Sequence, residues 1–139
     1  MIVLDTNVLS ELMRPSPSAE VLAWVDSVPM TEMATTAITQ AEILYGVRRM
    51  PAGKRKDVLT EVVGNVFGQD LRDRVLAFSS EAALEYAILV TERLARGRPI
   101  SMADAQIAAI CRVHRCSLAT RNIDDFRDTG VELFNPWVL

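Results

Sequence analysis

The sequence predicts an α/β fold in which a mostly parallel sheet is sandwiched between helices. Three observations carry that prediction. Short apolar runs bounded by turn residues, such as Met1-Ile2-Val3-Leu4 before Asp5-Thr6-Asn7, read as strands covered on both faces. Longer segments with apolar residues at helical spacing, such as Lys54 to Phe67, read as amphipathic helices. The two kinds alternate along the chain, the pattern of a parallel sheet with helices on its faces.

Taken in order, Met1 to Leu4 is the first strand and Asp5 stands where it ends. Val8 to Met13 reads as a short helix closed by Pro15. Ser18 is placed as the N-cap of a second helix, with Val21, Leu22, Trp24, Val25 and Val28 as its apolar stripe. Met33 to Thr36 is a strand candidate. Thr39-Gln40-Ala41-Glu42 opens a helix that runs to about Arg49. Lys54 to Phe67 follows, and Gly68-Gln69-Asp70 breaks the chain. Arg74 to Phe78 reads as a strand. Ser79 caps a long helix from Ser80 to about Arg96, with Leu84, Ala87, Ile88 and Leu94 predicted inward and Gly97 and Pro99 as its stop. Ser101-Met102-Ala103-Asp104 opens a helix that is apolar nearly all round, hence buried on most sides. Ser117 to Thr120 is the next strand, and Val131 to Phe134, after a turn at Gly130, is the last.

The 139 residues fit one domain, residues 1–139, with a sizeable core. No apolar run approaches the roughly 20 residues of a membrane span. The N-terminus carries no basic stretch, apolar segment and cleavage site of the signal-peptide kind. The expectation is a cytoplasmic protein with no membrane partner. Cys111 and Cys116 are expected to be free, buried thiols, with a metal pair as the lesser reading. The one histidine, His114, falls at a helix end and argues against histidine-rich zinc catalysis. A net charge of −3 excludes a generally basic nucleic-acid coat. Yet all 15 basic residues except Lys54 and Lys56 are Arg, the better residue for bidentate phosphate contacts. Most fall in three groups, Arg48 to Lys56, Arg93 to Arg98 and Arg112 to Arg121. These are either solvated helix ends or a basic rim that steers phosphates to an acidic centre.

Three acids stand out. Asp5 follows the first strand and can cap the next helix. Glu42 in Thr39-x-x-Glu42 and Asp104 in Ser101-x-x-Asp104 both have capping-box spacing. Taken singly, each has a purely structural explanation. In an α/β sheet, however, a helix start that follows a strand faces the same rim as the strand's carboxyl end, where ligands bind. Asp5, Glu42 and Asp104 can therefore face one crevice. Two like charges ~4 Å apart cost roughly 4 kcal/mol at an effective dielectric of about 20. Three packed carboxylates must take up protons or bind a cation, and a hard cation with oxygen ligands is the usual answer.

Asp5-Thr6-Asn7, Ala41-Glu42-Ile43-Leu44-Tyr45-Gly46, Asp104-Ala105-x-Ile107-Ala108 and Thr120-Arg121-Asn122-x-x-Asp125-Phe126, in this order and at these separations, resemble a PIN-domain protein. The resemblance covers essentially the whole chain. It is nearest to VapC-type toxins of toxin–antitoxin pairs, especially the FitB-like branch, whose ending is similar to Phe134-Asn135-Pro136-Trp137. It implies a three-layer α/β/α sandwich and a Mg²⁺- or Mn²⁺-dependent ribonuclease that hydrolyses RNA with metal-activated water. It carries the family's acids over to Asp5, Glu42 and Asp104 as metal ligands. Asn122 stands where the family often has a fourth acid; it adds no charge, which puts a second metal in doubt. Thr6 or Thr120 would help orient water, and Asp125 is assigned to the turn or helix cap before Phe126. The implied partners are an RNA substrate, a small DNA-binding antitoxin and a second copy of the chain within a higher assembly.

Two other readings compete. A haloacid-dehalogenase-like phosphatase also begins with a strand-end Asp, but it needs a second Asp two residues on, where this chain has Asn7. The chain could instead act mainly as a non-catalytic or weakly catalytic partner of the antitoxin in a repressor complex. Residues 18–28 and 54–67 would then form homodimer or antitoxin grooves, if their stripes are not ordinary core.

Overall fold

A computed structural model describes residues 1–139. Its centre is a sheet of five strands, all parallel, in the order β3-β2-β1-β4-β5. The strands are β1 (Ile2–Leu4), β2 (Met33–Thr36), β3 (Val75–Leu76), β4 (Ser117–Ala119) and β5 (Leu133–Phe134). Six helices connect them: α1 (Thr6–Leu12), α2 (Ala19–Asp26), α3 (Ala37–Arg48), α4 (Lys54–Asn65), α5 (Ser80–Ala95) and α6 (Met102–His114). Alternate side chains of each strand face opposite ways, and in the three central strands both ways are buried, while β3 and β5 are partly buried. Val3, Ala34 and Leu118 pack with Leu89 of α5 and Ala105, Ala108 and Cys111 of α6. Leu4, Met33 and Ala119 pack with Val8 of α1, Val21 of α2, Ile43 of α3 and Val63 of α4. This is the expected sandwich of a mainly parallel sheet between two helical layers.

Several boundaries differ from expectation for local reasons. α1 starts at Thr6 rather than Val8, because Asp5 itself caps it. α3 starts at Ala37, directly after β2. Its cap is Thr36, whose Oγ1 accepts from Thr39 N–H at 3.1 Å. Thr39-x-x-Glu42 is therefore not a capping box, and Glu42 lies in the second turn. The predicted break at Gly68 is a π-helical turn, Val66–Asp70, that extends α4. Ser18, Ser79 and Ser101 cap α2, α5 and α6 as expected.

The largest correction concerns α5. Leu84, Ala87, Ile88 and Leu94 are exposed, not inward. Ala82, Leu89 and Arg93 are the residues it buries. Both faces of this helix are apolar enough to be chosen, and the docking of α6 decides between them. α6 is buried nearly all round, as its sequence predicts. It ends in a left-handed Arg115 (φ 53), with Arg115 N–H donating to Arg112 O at 3.3 Å and Cys116 N–H to Cys111 O at 2.9 Å. That closing motif brings the first and last side chains of the turn together, here the two cysteines, which are free and buried. Burial pushes both thiols up, so neither is a ready nucleophile. No helix is long and apolar enough to cross a membrane.

Candidate active site

The chain leaves β1 toward β2 on one side and later returns to β4 on the other. That reversal opens a crevice beyond the carboxyl ends of β1 and β4, the usual ligand position in such sheets. Asp5 and Thr120 follow these two strands and meet across it. Asp5 N–H extends the ladder to Ala119 O at 3.0 Å. The Thr120 hydroxyl donates to Asp5 Oδ2 at 2.7 Å. Asn7 Nδ2 donates to the same oxygen at 3.3 Å, and Thr6 N–H donates to Asp5 Oδ1 at 2.8 Å. Asp5 is only 3% exposed. Burial raises its pKa above the usual carboxylate value, the donors from Thr120, Thr6 and Asn7 pull it back, and the charge of Glu42 pushes it up further.

The remaining candidates surround this group. Glu42 is exposed and accepts from the Thr6 hydroxyl at 2.9 Å; the same hydroxyl lies 3.1 Å from that of Thr39. Asp104 is half-buried in the first turn of α6, its backbone N–H donating to Ser101 Oγ at 3.2 Å. Burial raises its pKa most; the Ser101 hydroxyl lowers it, the charges of Asp5 and Asp125 raise it, and Arg93 lowers it. Asp5 therefore feels Glu42, and Asp104 feels Asp5. Asn122 is exposed, with its backbone N–H on Thr120 Oγ1 at 3.0 Å. Thr120 thus gives its proton to Asp5 and accepts from Asn122, a relay that orients the carboxylate.

The expected three-way crowding is not present. No group of three Asp, Glu, His or Cys side chains is gathered closely enough to hold a metal ion. The acids share a neighbourhood as a chain of pairs instead of a closed cage. The donor chemistry still fits a hard cation. The side chains at the crevice offer carboxylate, hydroxyl and amide oxygen, and Mg²⁺ typically takes one or two carboxylates and completes its shell with water. Asp5 and Asp104 suffice for that arrangement.

Two residues have roles beyond those the sequence predicts. Asp125, in the 3₁₀ turn Ile123–Phe126, acts on Asp104 by its charge although it was assigned only to the turn or helix cap. Arg93, 3% exposed, donates to the carbonyls of Arg98, Asp125 and Arg127 at 2.8, 3.1 and 2.8 Å. It ties that turn to α5. The arginines do not form one rim. Arg96 and Arg98 pair with Asp128 at 3.5 and 3.0 Å. Arg112 pairs with Glu85 at 2.9 Å and sits with Arg115 at the end of α6 remote from Asp104. Arg121 alone of the third group stays at the crevice, its N–H donating to Asn7 Oδ1 at 3.1 Å. On the α4 side, a cleft of about 460 Å³ starts at Thr6 and Glu42 and runs between Arg14, Arg55, Val58 and Leu59.

Comparison with known proteins agrees with this architecture. Residues 2–132 match the PIN domain family. The chain is 39% identical over 137 residues to the VapC ribonuclease Y4jK of Sinorhizobium fredii, covering 99% of this chain and 98% of that one. It is also 39% identical over 137 residues to the toxin FitB of Neisseria gonorrhoeae, covering 99% of each. The structure of FitAB bound to an IR36 DNA fragment superposes with a TM-score of 0.95 at 39% identity, covering 100% of this chain and 97% of that one. The chain belongs to the PIN-domain family, in the group of the VapC and FitB toxins.

Proposed function

We propose that this chain is a divalent-metal-dependent endoribonuclease, the toxin of a toxin–antitoxin pair, with residues 1–139 working as one catalytic domain in the cytoplasm. The observation that carries the reading is Asp5. It is a buried carboxylate at the strand-reversal crevice, fixed by three donors and within electrostatic reach of Glu42 and Asp104. Asp5 and Asp104 would hold a Mg²⁺ or Mn²⁺ ion, and Glu42 would ligate it or hold one of its waters. When bound, such an ion polarises a phosphoryl oxygen and makes a coordinated water more acidic. The chain's own groups set the geometry. Thr120 and Asn7 lock the Asp5 carboxylate, Thr6 tethers Glu42, and Asn122 and Asp125 would act from outside the ligand set. Arg93 holds the turn that carries Asp125. The substrate favoured is single-stranded or loop RNA, whose backbone can enter a crevice.

The test is cleavage of single-stranded RNA by the purified chain freed from any partner. Activity is expected with Mg²⁺, absent with EDTA, and lowered at least about a hundredfold in Asp5→Asn, the scale for losing transition-state charge stabilisation. An Asp5→Asn chain that cuts as fast as the parent would overturn the assignment.

A small DNA-binding antitoxin is the partner this reading requires, supported by the toxin relative and by the FitAB neighbour solved on DNA. The cleft of about 460 Å³ suits it, since Val58, Leu59 and Val62 offer an apolar wall and Thr6 and Glu42 stand at the mouth. A segment seated there would cover the approach to Asp5. The competing role, a non-catalytic member of a repressor complex, is separated by the same assay. Cleavage that appears only after the partner is removed supports a toxin held in check, and no cleavage in either state supports the repressor role. A homodimer would bury the outward stripe of α5.

A further inference from the structure

Arg121 is the third-group arginine left at the crevice, and its surroundings differ from those of the neighbouring arginines. Arg127 pairs with Asp124, and Arg96 and Arg98 pair with Asp128. Arg121 has no carboxylate within ion-pair distance. Its guanidinium lies 4.8 Å from the centre of the Trp137 ring, a stacking distance that keeps the cation extended without neutralising it. Its base is fixed twice over. The backbone N–H of Arg121 is held by Asn7, whose amide also donates to Asp5, and the preceding residue is Thr120, which donates to Asp5 directly. Trp137 is held by its own N–H on Asn135 Oδ1 at 2.9 Å and packs its half-buried ring against the α1–α4 side of the core. Beside this stack lies a polar recess of about 390 Å³, lined by Arg121, Asn122, Asp124, Asp125, Arg127 and Asn135.

A free guanidinium offers five donors in a fixed fork that matches a phosphate. It also presents a planar face on which an unstacked base can lie. Asn122 and Asn135 supply the amide donors and acceptors that base edges need. The recess is large enough for one nucleotide by the ordinary scale of ligand pockets. The acids of the crevice repel RNA, as does Asp125 in the recess itself, where Arg127 pairs with the other carboxylate, Asp124. A cationic anchor next to them lets the strand lie across a negative crevice.

We propose that Arg121 stacked on Trp137, with the Asn122–Asn135 recess beside it, is a nucleotide subsite that grips single-stranded RNA alongside the Asp5 crevice. This rests on the nuclease reading of the Asp5 crevice, and it adds where the strand lies and which residue anchors it. Arg121 is a binding residue here and takes no part in bond breaking.

The test uses the Asp5→Asn chain, in which cleavage is expected to be lost, and a short fluorescein-labelled single-stranded oligoribonucleotide in EDTA, read by anisotropy over a range of salt. Adding Arg121→Ala is expected to weaken binding about tenfold, the loss of one charge-assisted contact. It should also lower the slope of log K against log salt by about 0.7, one phosphate contact on a single strand. Arg121→Lys should keep the slope and recover only part of the affinity. Arg115→Ala, at the remote end of α6, should change neither. Unaltered affinity and slope in Arg121→Ala, or no measurable RNA binding by the Asp5→Asn chain, overturns the subsite. Cleavage by the parent is measured in parallel. If the parent cuts RNA while Arg121→Ala binds normally, the subsite falls and the nuclease stands. If the parent does not cut but binding depends on Arg121, the nuclease reading falls and the RNA anchor stands.

Discussion

Asp5 is buried at a place where an ionised carboxylate is costly, and three donors only partly offset the desolvation. Removing its charge relieves that desolvation but replaces an acceptor with an amide NH2 facing the donors Thr120 and Asn7, so the two effects oppose each other. Asp5→Asn is expected to melt in EDTA within about 5 °C of the parent while cleavage is lost; a larger drop would mean that the charge is structural. Thr120→Val keeps the shape and removes the donor to Asp5 Oδ2. It should lower cleavage by about 10–100-fold, the usual effect of losing a group that orients a metal ligand. It should cost about 1.5–3 kcal/mol of stability from the lost bond to a charged group, and urea unfolding reads that cost. Asp5 and Asp104 were legible because each sits at an element boundary with recognisable punctuation. Glu42 was legible as an acid but not in its setting, since β2 runs into α3 with no loop and Thr36 takes the cap. Arg93 was not legible at all. Its guanidinium is satisfied by carbonyls of residues 98, 125 and 127, and nothing local in sequence announces that those carbonyls converge.

α5 shows what periodicity leaves open. Ala82, Leu89 and Arg93 mark its buried side, and Leu84, Ile88 and Leu94 mark its exposed one. A helix apolar on both sides offers two candidate faces, and the sequence does not say which one meets α6. The exposed stripe is the kind of patch that marks an association surface. Leu84→Glu with Ile88→Glu should leave the monomer's unfolding within about 0.5 kcal/mol, as surface changes do. The same pair should shift the sedimenting species of the partner-free chain from dimer to monomer. A chain that sediments identically with and without the two charges has its dimer contact elsewhere. α6, by contrast, was read correctly, because a helix apolar all round has only one solution, burial between α5 and the sheet.

For the whole molecule, alternation of short apolar runs with amphipathic segments was enough to predict a parallel sheet between helices. The order β3-β2-β1-β4-β5 was not predictable, because pairing depends on contacts far apart in sequence. That order matters most for function, since it creates the crevice where Asp5 meets Thr120. The choice between solvated helix ends and a basic rim stayed open in the sequence for the same reason: ion pairs with Asp128 and Glu85 consume arginines that look free there. Raised pKa values at Asp5 and Asp104 have a consequence for the whole chain. A carboxyl whose folded pKa lies above its ordinary 3.8 binds protons more tightly folded than unfolded. It adds stability that is complete below that value and is lost as pH rises through the folded one. In EDTA, the parent should therefore lose stability relative to the double variant Asp5→Asn, Asp104→Asn as pH is raised from about 4 toward neutrality. An equal pH profile for the two would remove the burial argument. Divalent metal should reverse the loss, by about 2.7 kcal/mol at a hundredfold excess over its Kd.

Everything turns on whether Asp5 after β1, Glu42 in α3 and Asp104 in α6 hold a cation together. Mn²⁺ binding to the partner-free chain, followed by electron paramagnetic resonance, reads this without depending on catalysis. Binding by the parent, at least about tenfold weaker in Asp5→Asn and again in Asp104→Asn, is the predicted result. Equal Mn²⁺ binding by the parent and the double variant would contradict it.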